Sequence, residues 1–190
     1  LFRSEDGIGD LLRSVELDPG FREAYLALLN TYINVGEVEK AREIVSEVES
    51  LMPTSPLLDL AKAKLALVDE DYRTAMSLVE AAQEKDVTLL AAYRLLGEIL
   101  QSSGNAEDSL EPLLIYSRYN TTFDPELEIL LSTAYAANDE FDEAIQLLDK
   151  ILESDPKFAA GFFQRGKIYT QMEEFDQAIE IGRASCRERV

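Results

Sequence analysis

Histidine is absent from this sequence, and cysteine occurs once, at Cys186. Without imidazole, general acid–base chemistry would fall to Asp, Glu, Lys or Tyr. A single cysteine forms no intrachain disulfide and no cysteine-ligated metal cage. Long apolar runs are missing too. Stretches such as Val87–Tyr93 are broken by Thr88, far short of the roughly 18–20 residues that cross a bilayer. Positive charge is scarce: 18 Lys and Arg stand against 37 Asp and Glu, for a net charge of −19. Such a field repels phosphate backbones and anionic lipid surfaces, so no nucleic-acid partner is expected. The chain starts at Leu1 with no basic segment and no signal-like apolar stretch.

The last ten residues, 181–190, read IGRASCRERV and break the pattern of everything before them. They match, residue for residue, the translation of a common short-read sequencing adapter, and are expected to be a non-native tail. Cys186 lies in that tail, so residues 1–180 contain no cysteine. The tail carries Arg183, Arg187 and Arg189 against Glu188, which leaves −21 on residues 1–180.

What is present is a repeat. Ala41, Ala75, Ser109, Ala144 and Ala178 are small residues spaced 34, 34, 35 and 34 apart, and Gly7 lies another 34 before Ala41. The one-residue slip fits an insertion near 119–123. Pro19, Pro53 and Pro156 fall 12 residues after Gly7, Ala41 and Ala144. Aromatics precede the small residue by 16 (Tyr25, Tyr93, Phe162), and Tyr32, Leu100, Tyr135 and Tyr169 precede it by nine, with Ala66 the smaller exception. Gly97 and Gly166 stand 12 before it, Gly36 and Gly104 five before it.

The pattern inside each repeat is helical. Tyr25, Leu28, Leu29 and Tyr32 follow the i, i+3, i+4, i+7 spacing of one helix face, and Ala41, Ile44, Val45, Val48 and Leu51 mark a second. Only Gly36-Glu37 separates them, which makes an antiparallel pair. The small residue lets the two backbones approach closely. A hairpin of this kind buries one side only, so neighbours must stack.

This spacing and these residue types resemble the tetratricopeptide repeat family over essentially all of residues 1–180. The repeat at 20–53 matches best, through Tyr25, Leu28, Tyr32, Ala41, Val45, Val48 and Pro53. The next one departs, with Asp59 and Lys62 where bulky apolar residues belong; Leu58, Ala61 and Leu65 serve instead if that helix shifts by one residue. The repeat at 123–156 has Glu128 at the aromatic position but keeps Leu131, Tyr135, Ala144, Leu148 and Ile151. The resemblance implies an all-α solenoid of antiparallel helix hairpins in a right-handed superhelix, with no β-strand. Residues 1–18 are then the second helix of a partial repeat. Full repeats occupy 20–53, 54–87, 88–122 and 123–156, and a truncated one 157–180. Second helices begin near Val38, Asp71, Ala106, Glu140 and Glu174. The chain reads as a window into a longer array. Pro112 falls inside a second helix, where its missing N–H is expected to produce a kink.

Three acidic clusters invite a catalytic or metal-binding reading: Asp69-Glu70-Asp71, Asp139-Glu140 with Asp142-Glu143, and Glu173-Glu174 with Asp176. All fall at one repeat phase, before or within the first turn of a second helix, where carboxylates complement the helix N-terminus. They lack the glycine and terminal glutamate of a calcium loop. Gly7-Ile8-Gly9 follows no strand and is not a nucleotide fingerprint. Asn120-Thr121-Thr122 matches a glycosylation triplet that recurs often by chance. No catalytic residue, metal ligand or cofactor is expected.

The family resemblance assigns ligand contacts to the first helix of each hairpin, at repeat positions that line a concave groove. Carried onto this chain, these are Leu26, Asn30 and Ile33; Leu60, Lys64 and Leu67; Arg94, Glu98 and Gln101; Ile129, Thr133 and Ala136; Phe163, Lys167 and Thr170. The Lys and Asn constellation with which some relatives clamp a C-terminal carboxylate is not reproduced. The expectation is a non-enzymatic scaffold that binds a protein or peptide, with a bacterial source and either cytoplasm or periplasm as its compartment. The alternative is an accessory repeat region of a larger enzyme or of an envelope or secretion-system protein.

Overall fold

In the computed structural model the described residues are 2–172, with side chains from Asp6 onward. The expected helix start at Glu174, the acidic cluster from Glu173, Ala178 and the tail at 181–190 lie outside them. Among the described residues every regular element is helical: α1 (Phe2–Leu17), α2 (Arg22–Asn34), α3 (Val38–Leu51), α4 (Pro56–Val68), α5 (Tyr72–Lys85), α6 (Leu90–Ser102), a 3-10 turn (Glu107–Ser109), α7 (Leu110–Tyr119), α8 (Pro125–Ala137), α9 (Phe141–Ser154) and α10 (Ala159–Gln171). The chain forms an all-α helical-repeat fold. It divides into two compact units, Leu1–Leu95 and Leu96–Val190.

In the first unit, α2 pairs with α3 and α4 with α5, while α2 also packs on α4. Leu28, Leu29, Val48 and Leu58 are fully buried in the core that these helices share. The departure at 54–87 is resolved by the one-residue shift. Leu58, Ala61 and Leu65 face this core. Lys85 Nζ lies 2.6 Å from Asp59 Oδ2, and Lys62 is paired with Glu49. A buried carboxylate needs such a partner to offset its lost hydration.

In the second unit, α8 pairs with α9, and α10 packs on both. Leu148, Ile151 and Ile168 form one buried cluster, and Leu113, Leu127 and Leu131 another. Here α6 meets α7 at Gly97, where a Cβ would stand 2.5 Å from Leu113 Cγ and Cδ2. Gly166 holds the same repeat phase, yet a Cβ there would meet nothing within 4 Å.

The small residues lie where the periodicity puts them: Ala41, Ala75, Ser109 and Ala144 have no exposed surface. Pro112 corrects an expectation. The segment at 107–119 opens as the 3-10 turn and becomes α-helical only at Leu110. Pro112 thereby falls in the first turn of α7, where no intrahelical N–H is required. The tighter turn before it occupies the residues whose carbonyls the ring would otherwise strike.

The hairpin turns share one construction. Gly36, Glu70, Gly104 and Asp139 all have positive φ, between 59° and 88°. The residue after each donates its N–H five residues back: Glu37 to Tyr32 O, Asp71 to Ala66 O, Asn105 to Leu100 O and Glu140 to Tyr135 O, at 2.8–2.9 Å. This is the Schellman termination, which satisfies the last carbonyls of the first helix. Two of these left-handed positions carry acidic residues rather than glycine.

Candidate functional site

The residues expected to line a groove differ in what they offer a ligand. Leu26, Leu60 and Ala136 are buried, so their side chains complete the interior instead of presenting a surface. Asn30 and Ile33 on α2, and Lys64 and Leu67 on α4, are half-buried. Asn30 Nδ2 donates to Leu26 O at 3.0 Å, which fixes its amide against its own helix. In the first unit the accessible row is therefore an amide, a cation and two aliphatic side chains on adjacent first helices. Arg94 and Glu98, also half-buried, lie on either side of the division between the units within α6.

In the second unit two of the predicted contact residues are engaged internally. Gln101 Nε2 donates to Leu130 O at 2.7 Å and to Ser109 Oγ at 3.1 Å. Thr133 Oγ1 donates to Ile129 O and accepts from Gln164 Nε2, both at 2.9 Å. Ile129 is half-buried, whereas Phe163, Lys167 and Thr170 on α10 are exposed, Phe163 to 71%. Lys167 Nζ lies 5.9 Å from the Phe163 ring centroid, within cation–π range. Gln164 is the residue that sequence reasoning missed. Its neighbour Phe163 occupies the groove position, and nothing in the periodicity marks an amide one residue later as the link to α8.

The acidic clusters behave as turn chemistry. Asp71 caps α5 and accepts from the Thr74 N–H at 3.1 Å. Hydrogen bonds from the Thr74 side chain and from its N–H hold the Asp71 carboxyl below the usual carboxylate range. Asp69 accepts two hydrogen bonds from Arg42 Nη2, at 2.6 and 2.7 Å, and this pairing raises the Arg42 guanidinium further above its ordinary value. In the second cluster Asp142 and Glu143 lie in the first turn of α9, behind the cap residue Glu140. Burial raises the Tyr135 phenol above its ordinary pKa, and the nearby Glu140, Glu143 and Glu128 carboxylates add to the effect. Among the described residues no group of three or more Asp or Glu is arranged to hold a metal, and no helix is long and apolar enough to cross a membrane.

Comparison with known proteins points to one family. Residues 129–189 match the tetratricopeptide repeat family, a span that includes nearly all of the last ten residues. A TPR repeat-containing protein of Bacillus subtilis, YpiA, is 21% identical over 178 residues, or 90% of this chain. The chain is similar to tetratricopeptide-repeat proteins over most of its length, and the family match itself covers residues 129–189. The chain covers 41% of the length of YpiA. Among solved structures, YrrB superposes with a TM-score of 0.68 at 20% identity, over 92% of this chain and 90% of its own. A chain of the APC/C hetero-tetramer Cut9–Hcn1 gives 0.82 at 15% identity, over 96% of this chain and 36% of that one. These likenesses establish the helical-repeat fold. Tetratricopeptide repeats serve in general as non-catalytic scaffolds for protein or peptide partners, because stacked hairpins offer an extended surface.

Proposed function

We propose that this chain holds a peptide or a partner domain against the accessible residues of its first helices. The observation that carries this reading is the row Asn30, Ile33, Lys64 and Leu67. These side chains keep exposed surface on α2 and α4, two first helices packed side by side, while other positions of both helices are fully buried. Aliphatic groups beside an amide and a cation suit an extended segment that inserts apolar side chains and hydrogen-bonds between them. In the second unit, Phe163, Lys167 and Thr170 offer the same mixture on α10. YrrB, whose fold this chain shares, has an unusual peptide-binding site.

The absence of histidine and cysteine from residues 1–180 also supports a non-catalytic role. The net charge of −19 disfavours nucleic acid as the partner. Site-directed photo-crosslinking tests the reading. A photoreactive phenylalanine analogue at Ile33, Leu67 or Thr170 should capture a partner that the same analogue at Glu47 or Gln146, on exposed second-helix positions, does not. Equal capture at both sets of positions contradicts it. A second reading, an accessory repeat region of a larger enzyme or of an envelope or secretion-system protein, is supported by the chain covering only 41% of YpiA. The uninterrupted reading frame tests it, by the presence or absence of a further domain.

A further inference from the structure

A recessed surface lies in the first unit on the side of α4 away from its groove residues. At about 100° per residue, Leu60, Lys64 and Leu67 share one face of α4, and Lys62, Leu65, Ala66 and Asp69 share the opposite one. That opposite face lines a cavity of about 410 Å3, which α3 borders through Arg42 and Val45 and α5 through Thr74 and Leu78. Its floor is aliphatic, formed by Val45, Leu65, Ala66 and Leu78.

The rim is charged, and its cations are already matched. Arg42 is forked onto Asp69, with Glu39 a further 3.8 Å contact, and Lys62 is paired with Glu49. Asp71 adds a carboxylate at the mouth. Its polar partners are the side chain and N–H of Thr74 and, through space, the exposed Arg73. The lining thus holds two carboxylates and two cations, and with Arg42 on Asp69 and Lys62 on Glu49 the charge left without an ion pair is Asp71, on a chain whose net charge is −19. The site suits a ligand that brings an aliphatic group for the floor and positive charge for the rim.

We propose that this cavity is a second docking site, which takes an aliphatic side chain of a partner peptide while an adjacent basic residue reaches Asp71. It lies apart from the first-helix row and would let the scaffold hold two segments at once. The volume is large enough for a leucine side chain.

Methyl-resolved NMR of the whole chain, titrated with acetyl-leucyl-arginine amide, tests the proposal, with acetyl-leucyl-glutamate amide as the control. The expected result is saturable shifts at the Val45, Leu65 and Leu78 methyls with the arginine peptide, and weaker ones with the control. Asp71→Asn keeps a capping side chain but removes the charge. It should weaken binding by about two- to fivefold, the range of a partly exposed ion pair. Thr74→Phe, at an exposed rim position, should plug the cavity and abolish the shifts. Should that variant misfold, the Asp71→Asn comparison decides alone. Shifts confined to Ile33 and Leu67, equal binding of the control, or unchanged affinity in Asp71→Asn would each overturn the proposal. The first of those outcomes would leave the first-helix reading intact, so the two can fail separately.

Discussion

The two units use one hairpin geometry but join successive repeats with different chemistry. In the first, the polar links between repeats are ionic: Arg42 to Asp69, and Lys62 to Glu49. In the second, side-chain amides carry most of them: Gln101 to Leu130 O, Asn138 to Glu107 O and Gln164 to Thr133, beside the ion pair of Arg165 with Asp149. The cores beneath are alike, aliphatic and closed around a small residue at each helix crossing. Packing therefore sets the fold in both units, and the polar links are a second layer that each unit fills differently.

That difference predicts unequal responses to substitution. The largest effect is expected at Gly97, where α6 and α7 touch. Gly97→Ala would drive a methyl into the fully buried Leu113 and should destabilise the chain by about 1–3 kcal/mol in urea denaturation. Gly166→Ala, at the same phase but in open space, should cost nothing and gain up to about 1 kcal/mol of helix propensity. Equal losses at the two sites would show that repeat phase, not contact, governs the glycines.

Next in size are the polar links. Gln101→Ala removes a second donor from Leu130 O, which keeps its intrahelical partner, and should cost about 0.5–1.5 kcal/mol, nearly unchanged by salt. Arg42→Ala removes an exposed pair worth about 0.2–1 kcal/mol, and its cost should fade near 1 M NaCl, where screening is short-ranged. Denaturation of both variants at low and high salt tests the contrast. A salt-sensitive Gln101 variant would break it.

The smallest effects belong to the hairpin turns. Glu70 and Asp139 hold the left-handed conformation that Gly36 and Gly104 adopt freely. Glu70→Gly and Asp139→Gly should each change stability by no more than about 1 kcal/mol, because relief of backbone strain is offset by lost chain entropy. Gly36→Ala should be the costlier exchange, at about 1 kcal/mol. Thermal unfolding of the three variants checks the order.

Much of this was legible in the sequence because packing is periodic. The phase of Ala41, Ala75, Ser109 and Ala144 marked the crossings, and the shift of Leu58, Ala61 and Leu65 could be read from helix spacing alone. Other features were not periodic and escaped. Glu70 and Asp139 gave no glycine signal for a left-handed turn. Pro112 was expected inside a helix, but the 3-10 turn over Glu107–Ser109 leaves it in the first turn of α7. For the candidate site, spacing gave direction around each helix but not what covers it. Leu26 and Leu60 turned out buried, and Gln101 points its amide at Leu130 O instead of a ligand.

The account rests on one claim: a single repeat register, set by small residues at the helix crossings, governs both units. Leucine substitution at Ala41, Ala75, Ser109 and Ala144, each fully buried, tests it most directly, with the exposed Glu43 and Gln146 as controls. Chemical denaturation should show a loss of about 1–3 kcal/mol at all four crossings through overpacking, and almost none at the controls. Four unchanged midpoints, or losses as large at Glu43 and Gln146, would contradict the register.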